Sequence, residues 1–243
     1  MGTAYQYPFG GQQNQLLTAL PQEDLNRWRS QWKLVELSRN QVLNCAGRAP
    51  EYVYFPTTAI ISLMSITQDG ASAEVAVVGN EGVVGISALL GADSAETDAV
   101  VQSAGHAMRM STRFVKGEIA QDFGIMKVVM RYAQSVMAQM AQMAVCNRHH
   151  SVDQQFCRRL LLGLDRLPSD ELDMTQELAA NLLGVRRESV TAAAHKLQEA
   201  GCIHYHRGHI VVLNRQRLEQ MACECYASTS KEYRRLLPQA FAA

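Results

Sequence analysis

Between Gln176 and Leu197 the chain carries a spacing that two tightly crossed helices satisfy and few other folds can. Gln176-Glu177-Leu178-Ala179-Ala180-Asn181-Leu182-Leu183 ends at Gly184, and Val185-Arg186-Arg187-Glu188-Ser189-Val190 follows. A helix-turn-helix needs a small residue where the second helix crosses the first, and Ala180 supplies it. Four residues later the backbone must turn sharply, and Gly184 accepts a left-handed φ without a Cβ penalty. Apolar residues must then return toward the first helix; Val190, Ala193 and Leu197 do so at spacings of 3 and 4. An ordinary αα-hairpin would meet some of these requirements, whereas here all of them fall in register.

Ser169, Asp170 and Asp173 offer cap-type residues ahead of a short helix expected from about Thr175. After the second helix, Ala200-Gly201 stops helical structure, and residues 202–213 read as two alternating strands about Arg207-Gly208. The unit is therefore predicted to be a winged helix. The exposed face of its second helix carries Arg186, Arg187, Glu188, Ser189, Thr191, His195 and Lys196. Arginine near the start of such a helix can reach guanine O6 and N7 bidentately, and glutamate can accept from cytosine N4. Ser189 and Thr191 suit phosphate oxygens, as do His206, Arg207 and His209 on the wing. Thr175 and Gln176, opening the first helix, complete the expected DNA-binding set. From Met174 to Asn214 four Lys/Arg stand against three Asp/Glu, so geometry rather than charge marks this region as a reader of DNA.

The preceding sequence has two other textures. Tyr52–Phe55, Ile60–Met64, Glu74–Val78 and Ala99–Val101 are short, β-branched or aromatic runs, with Asp69-Gly70 as a hairpin signal. They predict a β-sandwich or β-roll, with a helix ahead of them over Asp24–Leu37. From Ile125 the chain then has neither Pro nor Gly until Gly163. Val129, Ala133, Val136, Met140, Met143, Asn147 and His150 step by 4 and 3, a heptad seam. Such a helix either packs on its own sheet or pairs with a second copy in parallel. The second alternative is preferred, with Asn147 fixing register and Val129, Ala133, Val136, Met140 and Met143 forming the dimer interface. Leu167-Pro168-Ser169 marks a boundary. The expected organisation is an N-terminal tail (1–20), a β-roll sensory domain (21–118), a dimerisation helix and connector (119–167), and a winged helix-turn-helix with a C-terminal helix (168–243). The fold class is α+β, with a jelly-roll-like double-stranded β-roll.

Met174-Thr175-Gln176-Glu177-Leu178-Ala179, the Gly184 turn, Arg187-Glu188-Ser189-Val190 and the wing resemble the C-terminal domain of Crp/Fnr-type bacterial transcription regulators. The β-rich first half and long helix are similar to that family's cyclic-nucleotide-binding-like β-roll and dimer helix. The resemblance implies a homodimer placing two recognition helices in successive major grooves of near-palindromic double-stranded DNA, with RNA polymerase as a further partner. It puts Arg187 and Glu188 on base-reading positions, while Ala192 replaces a further base-reading arginine of the cyclic-AMP-sensing member. That member's Gly-Glu pair for ribose and Arg-Ser pair for phosphate fall here on Gly85-Ile86 and near Thr97-Asp98. An aspartate repels phosphate and isoleucine cannot accept a ribose hydroxyl, so cyclic AMP in the usual mode is not expected. Gly79, Gly82 and Gly85 read as tight β-roll turns rather than a phosphate cradle.

No cofactor is expected with certainty. An iron–sulfur sensor would need about four cysteines in the sensory half, where Cys45 stands alone. Cys202, His204 and His206 alternate along one strand and could hold zinc with His209 or Cys223, but a solvated wing face is preferred and no metal site is assigned. Cys223-x-Cys225 is too short for the usual zinc knuckle and reads as part of a C-terminal helix over about Gln216–Leu237, and His149-His150 reads as a capping or interhelical hydrogen-bonding pair rather than a catalytic one. No catalytic motif or carboxylate constellation is present, so an enzyme is not expected. The alternative to a DNA-binding regulator is a ligand- or metal-sensing dimeric module acting through protein contacts. Residues 1–11 lack the basic and apolar regions of a secretion signal, and the richest apolar stretch, Val75–Leu90, is broken by Asn80 and Glu81. With six cysteines read as reduced thiols, the expected location is the cytoplasm, away from membrane.

Overall fold

The computed structural model describes residues 14–167 and 169–237. Residues 1–13 of the expected tail, Pro168 of the expected boundary and residues 238–243 lie outside the described residues. The first half comprises α1 (Gln15–Thr18), α2 (Gln22–Trp28), β1 (Lys33–Leu37), β2 (Val42–Asn44), β3 (Tyr52–Pro56), β4 (Ile60–Ile66), β5 (Ser72–Val78), α3 (Ile86–Leu89), β6 (Asp98–Ser103) and β7 (Gly105–Ser111). The second half follows with α4 (Thr112–Gln121), α5 (Phe123–His149), α6 (Val152–Leu164), β8 (Glu171–Asp173), α7 (Gln176–Leu183), α8 (Arg187–Glu199), β9 (Ile203–His206), β10 (His209–Val212), α9 (Arg215–Met221) and α10 (Cys225–Leu236).

Two antiparallel sheets, ordered β1-β7-β3 and β2-β6-β4-β5, make the β-roll. Their inward side chains, among them Val53, Phe55, Ile61, Leu63, Ala76, Val78, Val101 and Met110, bury one apolar core. The expected hairpin closes at Gly70, whose φ of 86° suits glycine. Two expectations need correction here. Residues 14–20 are not tail: Leu16, Leu17 and Leu20 enter the core, and the Asn14 side-chain amide donates to Pro56 O (2.9 Å) and Gly82 O (2.8 Å). The helix expected over Asp24–Leu37 ends at Trp28, because Lys33–Leu37 gains a sheet partner in β7, which overrides local propensity.

The long helical region is divided into three. Asp122 caps α5, accepting from the N–H groups of Gly124 (2.6 Å) and Ile125 (3.1 Å). At the other end, Ser151 and Gln154 form a reciprocal capping box that starts α6, so the helix stops at His149 without proline or glycine. The heptad seam also needs correction. Val129 and Val136 enter the β-roll core and Met140 packs partly against it, while Ala133 is buried and Met143 is buried beside Arg158 of α6, so the seam is covered within the chain; only Asn147 is exposed. The other side of α5 is open. Phe123, Met130, Met137 and Val145 are exposed by 72%, 55%, 62% and 51%, with exposed Ala141 and Ala144 between them.

A second core joins α6 to the C-terminal half. Phe156, Cys157, Leu160, Leu161 and Leu164 pack with Ala180, Leu183, Val190, Leu197, Ile203 and Ile210. The expected C-terminal helix is broken at Ala222–Glu224 into α9 and α10, and α10 folds back along α5. The two cores meet where α7 rests on β5: a Cβ on Gly184 would lie 3.2 Å from that of Ala73. Beneath this contact Arg159 of α6 ion-pairs with Glu74 of β5, and Ser62 donates to Glu74 Oε2 (2.5 Å). No helix among the described residues is long and apolar enough to cross a membrane.

Candidate nucleic-acid interface

The reader domain is built as its spacing requires. The Thr175 hydroxyl caps α7 by accepting from the Leu178 N–H (3.1 Å), and Gly184 ends it with φ 65° and ψ 35°. Helix α8 then buries Val190, Ala193, Ala194 and Leu197 and leaves its other face to solvent. Strands β9 and β10 pair in register His206↔His209 about a two-residue turn, Arg207 (φ 48°) and Gly208 (φ 86°). Positive φ at both positions matches the strand twist of a tight hairpin. Strand β8 adds to the other edge of β10, giving a three-stranded wing sheet.

Between α7, α8 and the wing lies a groove of about 550 Å³, lined by six of the sequence-predicted residues: Thr175, Gln176, Arg187, Thr191, His195 and Arg207. The Thr191 hydroxyl donates to Gln176 Oε1 (2.8 Å) and contacts Arg187 O (3.1 Å), which fixes both polar side chains at the groove floor. Tyr205 and Gln198 also line it and were not predicted. Gln198 Oε1 accepts from the Tyr205 N–H (2.5 Å), and the Tyr205 hydroxyl donates to Met174 O (2.8 Å), so together they tie the wing to α7 and α8. Burial raises the Tyr205 pKa, while the positive field of Arg187 opposes that shift. The signal for these two was their place, one on the α8 face beside His195 and one on the alternating wing strand.

The remaining predicted residues fall outside this lining. Arg186 and Glu188 are exposed at the start of α8 beside the groove, and Ser189 is half-buried on its flank. Lys196 turns the other way: its Nζ pairs with Asp153 Oδ2 of α6 (2.7 Å), so the charge is occupied inside the chain. His206 is exposed on the wing with its ring parallel to that of His204, the centroids 6.5 Å apart. The zinc alternative that the sequence disfavours on that strand does not assemble. Cys202 is buried with its sulfur 3.5 Å from Met221 Sδ, while His204 and His206 point to solvent.

At the β-roll, Gly85 (φ 97°) opens the short α3. The Asp98 carboxylate accepts from the Ala46 N–H (2.7 Å), which holds a negative charge where the resemblance would put a phosphate. Gly82 has a packing reason: a Cβ there would sit 2.1 Å from the Tyr132 hydroxyl oxygen.

A β-roll joined by a long helix to a winged helix-turn-helix is the build of a two-domain transcription regulator with its own DNA-binding domain. Comparison with family models matches residues 34–122 to the cyclic nucleotide-binding domain and residues 154–221 to the Crp-like helix-turn-helix domain. The chain is a Crp/Fnr-type transcription regulator. Among solved structures it resembles FixK2 from Bradyrhizobium japonicum, with 17% identity, a TM-score of 0.67, and coverage of 79% of this chain and 98% of that one. It also resembles the CRP-family regulator TTHB099 from Thermus thermophilus, with 18% identity, TM-score 0.65, and coverage of 77% and 96%. A third is the c-di-GMP-responsive global regulator CLP from Xanthomonas campestris, with 15% identity, TM-score 0.63, and coverage of 80% and 100%. At these identities the likeness is one of fold. No curated protein matches the chain in sequence.

Proposed function

We propose that the protein acts as a homodimer that reads a near-palindromic operator with two α8 helices in successive major grooves. The observation that carries this reading is the groove in which Arg187, Gln176, Thr191, His195 and Arg207 converge on one exposed surface. Arg187 and Glu188 would read base edges from the first turn of α8, while Thr175, Arg207 and His206 would hold phosphates. Support for the homodimer comes from the open face of α5. Phe123, Met130, Met137 and Ala144 recur every seven residues there, and a second copy would cover them. In this reading the dimer contact is offset around the helix from the seam that the heptad suggests.

A small-molecule signal at the β-roll would set the spacing of the two readers, a coupling of about 1–3 kcal/mol. Cyclic AMP in its usual mode is a poor candidate, given Ile86 and the anchored Asp98 carboxylate. Bound to DNA in the cytoplasm, such a dimer would meet RNA polymerase. The test is genomic-fragment binding by the purified, ligand-free protein at fixed salt, followed by competition with an Arg187→Ala, Glu188→Ala variant. Selective binding that the variant loses supports the reading. Absence of selective binding, with and without a nucleotide panel, would overturn it.

A further inference from the structure

Where α10 folds back on α5, four side chains from distant parts of the chain converge. Cys146 and His150 stand four residues apart at the end of α5, and Cys223 and Cys225 flank the turn into α10. Their candidate ligand atoms all lie within 4.8 Å of one another. Cys146 Sγ is 3.5 Å from Cys223 Sγ, and Cys225 Sγ is 3.4 Å from His150 Nδ1. All three cysteines are buried, in a small cluster of their own apart from the larger cores. We propose that Cys146, His150, Cys223 and Cys225 bind one zinc ion, a clasp that fastens α10 to the end of α5.

The Cys146–Cys223 and Cys225–His150 separations suit this ion. Zinc–sulfur bonds of about 2.3 Å and zinc–nitrogen bonds of about 2.0–2.1 Å, arranged tetrahedrally, separate the ligand atoms by roughly 3.5–3.8 Å. Three sulfurs and an imidazole suit a borderline-soft cation, not the oxygen-seeking calcium or magnesium. A protein supplying all four ligands makes a closed, structural site. The surroundings fit as well. His150 Nε2 lies 3.3 Å from Glu224 Oε1, so the ring can present Nδ1 to the metal and donate its other N–H to a carboxylate, which orients a ligand histidine. Gln142 Nε2 donates to Cys225 Sγ (3.0 Å), a contact that stabilises a thiolate.

Charge supplies an independent argument. Binding replaces three thiol protons with one Zn²⁺ and releases those protons to solvent, so the centre carries a net charge of −1. The Arg158 guanidinium is 1% exposed, and its field reaches Cys146. No carboxylate among the described residues pairs with it; its hydrogen bond runs to Met143 Sδ (2.6 Å), and its Nε has no partner. A buried, uncompensated cation is costly, and an anionic zinc–thiolate centre beside it would remove that cost.

The test uses the full-length protein without a polyhistidine tag, purified under reducing conditions with no added metal. Elemental analysis is expected to find about one zinc per chain. Cys223→Ser and Cys225→Ser should lose it, while Cys45→Ser and Cys157→Ser should keep it. Because removal of a buried thiol can unfold a protein, the wild-type chain is also stripped of metal and reloaded with cobalt(II). The expected spectrum has the strong visible bands of a four-coordinate ion and a thiolate charge-transfer band in the near ultraviolet. A metal-free native protein, a Cys146–Cys223 disulfide in its place, stoichiometric copper or iron, or a weak six-coordinate cobalt spectrum would each overturn the proposal. None of these readouts depends on DNA binding.

Discussion

Arg159 Nε lies 2.8 Å from Glu74 Oε1, with both side chains 1% exposed, and this pair crosses from the reader's core to the β-roll. Burial is the main influence on Arg159 and pulls its pKa down, and the Glu74 charge acts against it. Glu74→Ala would leave a guanidinium buried with only neutral partners. The expected cost is roughly 3–5 kcal/mol in denaturant unfolding. A Glu74→Leu, Arg159→Met double variant should recover most of that loss, because hydrophobic replacement of a buried pair is often neutral. Equal destabilisation by the single and double variants would mean that packing, not charge, carries the effect.

The open face of α5 makes a separable prediction. Met130→Lys with Met137→Lys changes exposed residues, so the fold should hold while the dimer dissociates in sedimentation experiments. Val136→Ala on the buried face should instead lower stability by roughly 2 kcal/mol, at ~0.8 kcal/mol per buried CH₂, and leave the assembly state alone. Dissociation by Val136→Ala and not by the lysine pair would restore the original heptad seam as the contact.

For DNA, Arg187→Ala is expected to cost roughly 1–3 kcal/mol and relax base preference at one position per half-site. Lys196→Ala should change affinity by less than about 0.5 kcal/mol, since its ammonium already faces Asp153 in an exposed pair. Fluorescence anisotropy on a selected operator and its single-base variants measures both. A Lys196 effect as large as that of Arg187 would show that the lysine leaves Asp153 when DNA arrives.

Alkaline pH should weaken the reader's core through Cys157. Burial pushes this thiol from its ordinary 9.0 up to about 12. A raised folded-state pKa gives stability that is complete below pH 9 and is lost as pH climbs from there toward 12, because the unfolded chain ionises first. Cys157→Ala should start less stable at neutral pH and show a shallower decline across that window. Parallel curves for the two proteins would mean that Cys157 does not titrate there.

The reader was legible because its constraints are local. Ala180, Gly184 and Val190 encode a crossing and a turn within a few residues, and Arg207-Gly208 marks the wing by backbone preference alone. Which face of α5 a second copy would cover was not legible for a related reason. Helix α5 has two apolar stripes, one through Val129 and Val136 and one through Met130 and Met137, and periodicity cannot tell which of them meets the chain's own sheet. The break at Ser151 was legible in principle, since Ser151-Val152-Asp153-Gln154 has the capping-box pattern, but the absence of Pro and Gly concealed it. Strands β1 and β7 owe their conformation to each other across the sheet, and no short window records that. Cys146 and His150 lie at the end of one helix, and Cys223 and Cys225 share a turn; the separation of 77 positions between Cys146 and Cys223 hides their meeting.

Because α5 ends at His149 and α6 starts afresh at Val152, the two helices do not form a single stiff shaft. The Ser151 capping box and the Gln155 side chain, which donates to His150 O (2.9 Å), set the bend between them. The heading of the reader is then decided by what it leans on: α7 against Ala73, Arg159 against Glu74, and α10 against α5. A substitution at any of these three bearings would re-aim the recognition helices without altering a residue that meets DNA.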